Sequence, residues 1–305
     1  MMKTIITDLA SHLTYAREIS QQHGPNPEQY ETHLAWYNRI HSEIKSGRLQ
    51  KQDRDQLRSI LGEAYSLNSL QGFAYHKPHG YAGDFEIIEK IYTQHVSDDP
   101  RIKKYDLFFQ AQSAPKAVRN RKAYFKSILK DKIGASTKPL KVLNLASGPC
   151  RGVAEFLKEY PESNFQMDCL EIDPKAIAHA KSLLTPHAMD HISLVQGNIF
   201  KFLPSDTYDL VWSAGLFDYL NDKAFINLLR RFSRAVSKGG EIIIGNFHPA
   251  NPTIPYMEAI AEWYLNHRDE DNLFELGRAA GASSQQQMTI DREAEGVNLF
   301  LRITY

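Results

Sequence analysis

The sequence predicts an α/β protein: a helical N-terminal segment over residues 1–132, then a domain over 133–305 built on a mostly parallel sheet. Three observations carry this reading. From Lys141 onward, short apolar runs alternate with segments of helical period, the pattern of parallel strands joined by right-handed crossovers. The first run, Val142, Leu143 and Leu145, gives way at once to Ala146, Ser147, Gly148 and Pro149, and Val153, Ala154, Phe156 and Leu157 then follow at helical spacing. Strand, small-residue turn and helix start together present backbone N–H groups to a nucleotide-type ligand. Last, the chain closes on two strands around Glu295–Gly296, an ending that repeated dinucleotide-binding folds do not usually have.

In chain order, Ile5, Leu9 and Leu13 recur at helical spacing, Leu34, Ile40 and Ile44 form a second helix ended near Gly47, and Leu57, Leu61 and Tyr65 a third. Their scattered charges suit solvated faces, as in a helical cap or an oligomer surface. Residues 71–92 change character: Tyr75, His76, His79, Tyr81 and Asp84 crowd around Pro78, Gly80 and Gly83. Glycines beside aromatics mark a loop where backbone approaches a ligand. The plainer alternative is a capped loop, with Asp84 starting the helix through Ile87, Ile88 and Ile91. His76 and His79 have no further ligand set at suitable spacing, so no metal site is expected. Leu107 to Lys132 is helical, with Val118, Tyr124, Phe125, Ile128 and Leu129 as its apolar face. Arg119 and Arg121 lie on it, and an arginine fork suits a ligand carboxylate. Lys132 to Pro139 reads as the linker.

After the central turn, Phe165 to Ile172 is a second strand ending in Glu171, and Asp173–Pro174 starts a helix. Ile192 to Val195 is a third strand, followed by Gly197–Asn198. Tyr208 to Ser213 is a fourth, running into Ala214 and Gly215. Phe225 to Val236 is a helix, Gly239–Gly240 a turn, and Glu241 to Gly245 a fifth strand. Tyr256 to Leu265 and Leu273 to Ala280 read as helices, and Met288 to Asp291 with Val297 to Thr304 as the closing hairpin.

Composition narrows the partners. The 36 basic and 36 acidic residues cancel, which removes the electrostatic footprint of a nucleic-acid or anionic-membrane binder. Two cysteines, Cys150 and Cys169, cannot make a disulfide framework and fit a reducing compartment, so a cytoplasmic protein is expected. No run of about 18 apolar residues exists. The N-terminus lacks the basic region and apolar core of a signal peptide.

Taken together, the strand ends give a small-residue turn, a carboxylate at Glu171 able to accept both hydroxyls of a ribose, an amide at Asn198 able to pair with an adenine edge, and Ser213–Ala214–Gly215 close to where a transferred group would lie. Here residues 141–305 resemble the class I S-adenosylmethionine-dependent methyltransferases. The resemblance implies a Rossmann-like seven-stranded sheet whose seventh strand is antiparallel, and S-adenosyl-L-methionine as the cofactor. It places the methionine part over Ala146, Ser147 and Gly148, the ribose on Glu171 beside Ile172, and the adenine on Asn198 beside Ile199. The usual first turn, D-x-G-x-G-x-G, reads Asn144, Ala146, Gly148 and Cys150 here, so two glycines and the acid are replaced. The segment from Tyr75 to Glu86, with Arg119 and Arg121, is similar to a bacterial group that includes 3-hydroxy fatty acid methyl ester synthases, and resembles methionine S-methyltransferases. This implies that Tyr81, Gly83 and Asp84 lid the cofactor and that Arg121 lies near its carboxylate.

The chemistry implied is in-line displacement at a sulfonium methyl, favoured by alignment and water exclusion. A carboxylate or thioether acceptor needs no general base; a hydroxyl or amine does, with His248, Tyr81 and Asp218 as candidates. Tyr75, Phe217, Tyr219, Phe247 and Tyr256 are substrate walls or core, and Arg302 a candidate anchor for a substrate carboxylate. The expected reaction is methylation of a small molecule bearing a carboxylate, on that oxygen or on a nearby heteroatom such as an amino-acid sulfur. The alternatives are a protein or RNA methyltransferase, a nicotinamide-dependent oxidoreductase, and a binding module without activity.

Overall fold

The computed structural model describes residues 9–283 and 286–305; Ile5 of the first expected helix lies outside them. The chain divides into two compact units. One comprises the residues up to Lys116 with Pro252–Tyr264, the other Ala117–Asn251 with Leu265–Tyr305.

The first unit is helical. Its elements are α1 (Leu9–Gln21), α2 (Tyr30–Lys45), α3 (Lys51–Leu61), α4 (Leu70–His76), α5 (Phe85–Tyr92), α6 (Lys103–Ala111) and, returning from later in the chain, α12 (Ile254–Ala261). Helix α1 packs on α3, α12 on α2 and α4, and α4 on α6. Aromatic rings fill the centre. The Tyr256 ring lies 4.9 Å from Tyr37 and 5.3 Å from Phe108, and His33 stacks on Trp36 at 5.5 Å. Where α4 begins, the buried Asp106 carboxylate accepts from Leu70 N–H at 2.8 Å, supplying an acceptor that the helix start lacks, and it also accepts from Ser97 N–H at 2.9 Å in the loop before α6. Gly72 is dictated by packing, since a Cβ there would sit 2.0 Å from the Ser66 carbonyl oxygen.

The second unit carries the sheet. Helix α7 (Ser113–Ala135) runs unbroken through the expected linker start at Lys132, and its residues from Ala117 onward belong to this unit. Then follow β1 (Leu140–Leu145), α8 (Arg151–Glu159), β2 (Phe165–Glu171), α9 (Pro174–Leu183), α10 (Pro186–Met189), β3 (Ile192–Gln196), β4 (Tyr208–Ser213), α11 (Asp222–Ser233), β5 (Val236–Phe247), α13 (Glu270–Ala279), β6 (Gln287–Arg292) and β7 (Asn298–Thr304). The order is β3-β2-β1-β4-β5-β7-β6, with β7 antiparallel to both neighbours and the other pairings parallel. This is the Rossmann-like seven-stranded sheet that the sequence predicts. One difference is β5, which starts at Val236 rather than Glu241. Its register against β4 jumps from Tyr208↔Val236 to Leu210↔Glu241, and the extra residues bulge around Gly239 at φ +79°.

Period-two alternation sends strand residues to two cores. Val142, Trp212 and Phe300 pack with Phe125 and Leu129 of α7 and Phe156 of α8. Leu143, Val211, Leu299 and Leu301 pack with Phe225 and Leu229 of α11 and Leu273 of α13. Phe125 stacks on Trp212 at 4.7 Å and Tyr124 on Phe300 at 4.0 Å. Burying a ring such as that of Phe125 or Phe300 is worth about 1.5–3 kcal/mol. The sheet is therefore covered on both faces, which explains the continuous apolar runs of β1 and β4. Among the described residues no helix is long and apolar enough to cross a membrane.

His33 gives a pH prediction for the helical unit. Burial pushes its imidazole down to about 3 from the ordinary 6.5. The folded chain thus binds fewer protons than the unfolded one, so this contribution is full above pH ~6.5 and is lost as pH falls toward ~3, at up to about 1.4 kcal/mol per pH unit. Urea unfolding of wild type and His33→Gln should show wild type losing about 2 kcal/mol more than the variant between pH ~6.5 and ~4.5.

Candidate active site

Four parallel strands end side by side, and their ends build the site. The turn after β1 is left-handed at Ala146 (φ 51°), Gly148 (φ 57°) and Cys150 (φ 54°), the alternate positions that carry glycine in the usual motif. The glycine shape is thus kept where two glycines are absent. A Cβ on Gly148 would meet nothing within 4 Å, so the turn leaves open space beside its Cα.

Glu171, at the end of β2, is 8% exposed. Its Oε2 accepts from Gly148 N–H at 2.9 Å, and its Oε1 from Ile172 N–H at 2.7 Å and Asp173 N–H at 3.0 Å. Three of about four acceptor positions are used, leaving capacity for a ligand hydroxyl. Ser147 N–H donates to Leu170 O at 3.1 Å and Gly197 N–H to Glu171 O at 2.9 Å, so the three loops are cross-tied. Asn198 turns its own Oδ1 to Phe200 N–H at 2.8 Å. Ile172 and Phe200 stand 58% and 51% exposed, while Ile199 packs on the apolar core. Asp173 caps α9, accepting from Lys175 N–H at 2.8 Å. Gly148, Glu171 and Asn198, expected in one crevice, stand together.

Beyond β4, Ser213 is buried, its Oγ donating to Leu145 O at 3.3 Å. Gly245 of β5 faces Ala214; a Cβ there would lie 2.1 Å from the Ala214 carbonyl oxygen, so only glycine fits. Arg121, 6% exposed, presses its guanidinium on Gly215, where a Cβ would be 2.7 Å from Nη1. The guanidinium carbon lies 6.0 Å from the Phe247 ring centroid. Its Nε has no hydrogen-bond partner among the described residues. A buried guanidinium without a hydrogen-bonded carboxylate is the kind of group that a ligand carboxylate satisfies.

Next to it, Asp218 is 2% exposed and accepts from Phe247 N–H at 2.7 Å through Oδ1. Burial pushes its carboxyl up to about 7, against the opposing pull of the Phe247 amide, Arg121 and Arg268. Arg268, which no sequence pattern marks, clamps this corner. It donates to Phe217 O at 3.1 Å, Leu220 O at 2.5 Å, Asn246 Oδ1 at 2.9 Å and Asp222 Oδ1 at 2.8 Å. Phe217 is buried core, and Tyr219 is 41% exposed.

The candidate proton acceptor His248 ends β5. Its Nδ1 accepts from Ala250 N–H at 3.0 Å and its Nε2 faces Glu270 at 3.4 Å, so both ring nitrogens are engaged; Glu270 also pairs with Arg292. Arg302 spends its guanidinium on Glu241, at 2.6 and 3.0 Å, and on Asp291 at 2.7 Å. It belongs to a sheet-edge ion network that Lys132 joins through Glu241.

The remaining expected site residues lie in the helical unit. Asp84 is buried and caps α5, accepting from Glu86 and Ile87 N–H, both at 2.9 Å. Gly80 and Gly83 take the left-handed conformations of the loop before it, at φ 85° and 66°, and Tyr81 is 39% exposed. The Tyr75 ring lies under Arg58 at 4.3 Å. His76 bonds to Tyr65 O at 2.8 Å and His79 to Glu86 at 3.0 Å. Among the described residues no group of three His, Cys, Asp or Glu side chains is placed to hold a metal ion.

Comparison with known proteins bears on the family and the fold. Residues 142–240 match the family model described as "Methyltransferase domain". No curated relative matches the chain. The fold is similar to that of a protein described as a possible exported protein from Bordetella parapertussis, at 17% identity and TM-score 0.61, covering 97% of this chain and 95% of that one. The mitomycin 7-O-methyltransferase MmcR matches at 15% identity and TM-score 0.49, covering 83% of this chain and 71% of that one. The glycopeptide N-methyltransferase MtfA matches at 14% identity and TM-score 0.44, covering 60% and 89%. The matched stretch runs from β1 into β5. A methyltransferase activity is what this match supports, and the donor implied by the resemblance is S-adenosyl-L-methionine.

Gly215→Ala separates the arginine from the fold. The added methyl meets the tip of a flexible side chain rather than backbone, so Tm should stay within a few degrees of wild type while Arg121 is displaced. Titration calorimetry with S-adenosylhomocysteine should then show affinity reduced about tenfold or more, the worth of a charge-assisted hydrogen bond.

Proposed function

We propose that S-adenosyl-L-methionine lies across the carboxyl ends of β1 to β4 and that its methyl group passes to a small molecule bearing a carboxylate. The observation that carries the cofactor part is the meeting of the Gly148 amide, the Glu171 carboxylate and the Gly197–Asn198 turn, with a buried arginine beyond them. In this reading Glu171 holds the ribose hydroxyls, Asn198 the adenine edge, and Ile172 an adenine face. The Ala146–Gly148 turn and Ser213–Gly215 flank the methionine part, whose carboxylate Arg121 receives. When bound, the cofactor supplies a sulfonium methyl to an acceptor lone pair, and the C–S bonding pair returns to sulfur.

The chain's own contribution is alignment and exclusion of water from a displacement in which charge disappears. His248, with both nitrogens engaged, favours an acceptor that needs no base, such as a carboxylate oxygen or a thioether. A balanced net charge gives no pull toward nucleic acid. Two free buried thiols suit a cytoplasmic setting.

Calorimetry with S-adenosylhomocysteine and with NAD tests the cofactor part. Binding of the former and not the latter is expected, with Glu171→Ala weakening it about 10- to 100-fold. NAD binding without a response to S-adenosylhomocysteine would overturn it. Labelled methyl transfer to a panel of hydroxy fatty acids, amino acids and peptides tests the acceptor; label in a peptide alone would replace the small-molecule reading with a protein methyltransferase.

A further inference from the structure

We propose that capture of a ligand carboxylate by Arg121 is coupled to uptake of a proton by Asp218. The proposal rests on the cofactor reading above and adds a proton to it.

The argument begins with the charges around Asp218. From α7, the buried Arg121 guanidinium rests against Gly215, three residues before Asp218, and lies 6.0 Å from the ring centroid of Phe247, whose backbone N–H donates to Asp218; it carries no hydrogen-bonded carboxylate among the described residues. From the segment before α13, Arg268 faces it, but this arginine is already ion-paired with Asp222 at 2.8 Å and saturated by backbone carbonyls. From β5 it receives one backbone N–H, that of Phe247. The next residue, His248, is turned to Glu270. Among the described residues, one positive charge without a hydrogen-bonded carboxylate therefore serves one buried carboxyl group that accepts from a single backbone amide.

Such a carboxyl group is balanced between its two forms. Desolvation favours the acid and Arg121 favours the anion, and the balance falls near neutrality, at about 7. A ligand carboxylate arriving at Arg121 changes both terms. It neutralises the guanidinium that stabilised the Asp218 anion, and it places a second negative charge nearby in a poorly screened site. Two carboxylates sharing one guanidinium in such a place hold a proton between them. The proton comes from solvent and resides on the Asp218 carboxyl; no covalent bond elsewhere changes. Asp218 is thus a positioning residue, since its neutral form leaves Arg121 free for the ligand.

Linkage fixes the sign. A site that takes up a proton on binding loses affinity as pH rises through the free group's titration, by at most about tenfold per pH unit. Neutral pH should bind S-adenosylhomocysteine more tightly than pH ~8.5.

The test is calorimetry of the full chain with S-adenosylhomocysteine at pH ~7.5 in phosphate and in Tris, buffers of different ionisation heat. The expected result is a buffer-dependent heat equal to uptake of a fraction of one proton, and an affinity that falls toward high pH. Asp218→Asn keeps the oxygen that accepts from Phe247 N–H; it should bind without the buffer dependence and with a flatter pH profile. 5′-Methylthioadenosine, which lacks the amino-acid tail, should bind without proton uptake. Wild-type heats that agree in both buffers, with an Asp218→Asn profile parallel to wild type, would overturn the coupling while leaving the cofactor reading intact. No binding of S-adenosylhomocysteine at all would overturn the cofactor reading and the coupling with it.

Discussion

The bond from the Gly148 amide to the Glu171 carboxylate is the constraint on which the site depends. It joins the turn after one strand to the end of its neighbour, and the same carboxylate also receives the next two amides of its own loop. Parallel pairing of β1 with β2 and of β2 with β3 brings these ends level, Leu145 opposite Leu170 and Glu171 opposite Gln196. The apolar alternation that buries Val142 on one face and Leu143 on the other keeps that register, because a slip of one residue would turn each side chain to the wrong face. Core packing thus sets the position of a carboxylate to within hydrogen-bonding tolerance.

A second corner is built by a different device. At the ends of β4 and β5 the backbone itself comes close: Gly245 lets the Ala214 carbonyl approach, and Gly215 gives room for the Arg121 guanidinium. Arg268 then binds the carbonyls of Phe217 and Leu220 and the Asn246 side chain, fixing the short segment that carries Asp218. The first corner presents amides and a carboxylate; the second presents a cation and a carboxyl group near its titration point. In the proposed reading, that division matches a zwitterionic ligand with a polar nucleoside at one end and an amino-acid tail at the other.

Much of the sheet was legible because its signals are local. Strand runs, the Gly148 turn, and Glu171 and Asn198 as strand-terminal polar groups all follow from short stretches read in order, and the closing hairpin marked the antiparallel strand. What was not legible depends on distant contacts. The start of β5 at Val236 hides behind Gly239–Gly240, which read as a turn because glycine pairs usually are one, whereas the chain absorbs them as a bulge. The engagement of His248 by Ala250 and Glu270, and of Arg302 by Glu241 and Asp291, needs elements far apart in sequence. Arg268 gave no signal, because a lone arginine between Asn266 and Asp269 has the look of an exposed loop residue. The sequence also does not tell that residues 252–264 return to the helical unit.

The turn after β1 holds Ala146 and Cys150 in a backbone conformation that a side chain disfavours by about 1–2 kcal/mol per residue. Its shape is therefore imposed from outside, by the strand pairing and by Glu171, rather than chosen by its own residues. A loop held against its preference relaxes as soon as its restraints loosen. On warming, the Gly148–Glu171 bond can open while the strands beneath remain paired, so that ligand affinity should set a lower ceiling on working temperature than melting of the sheet does.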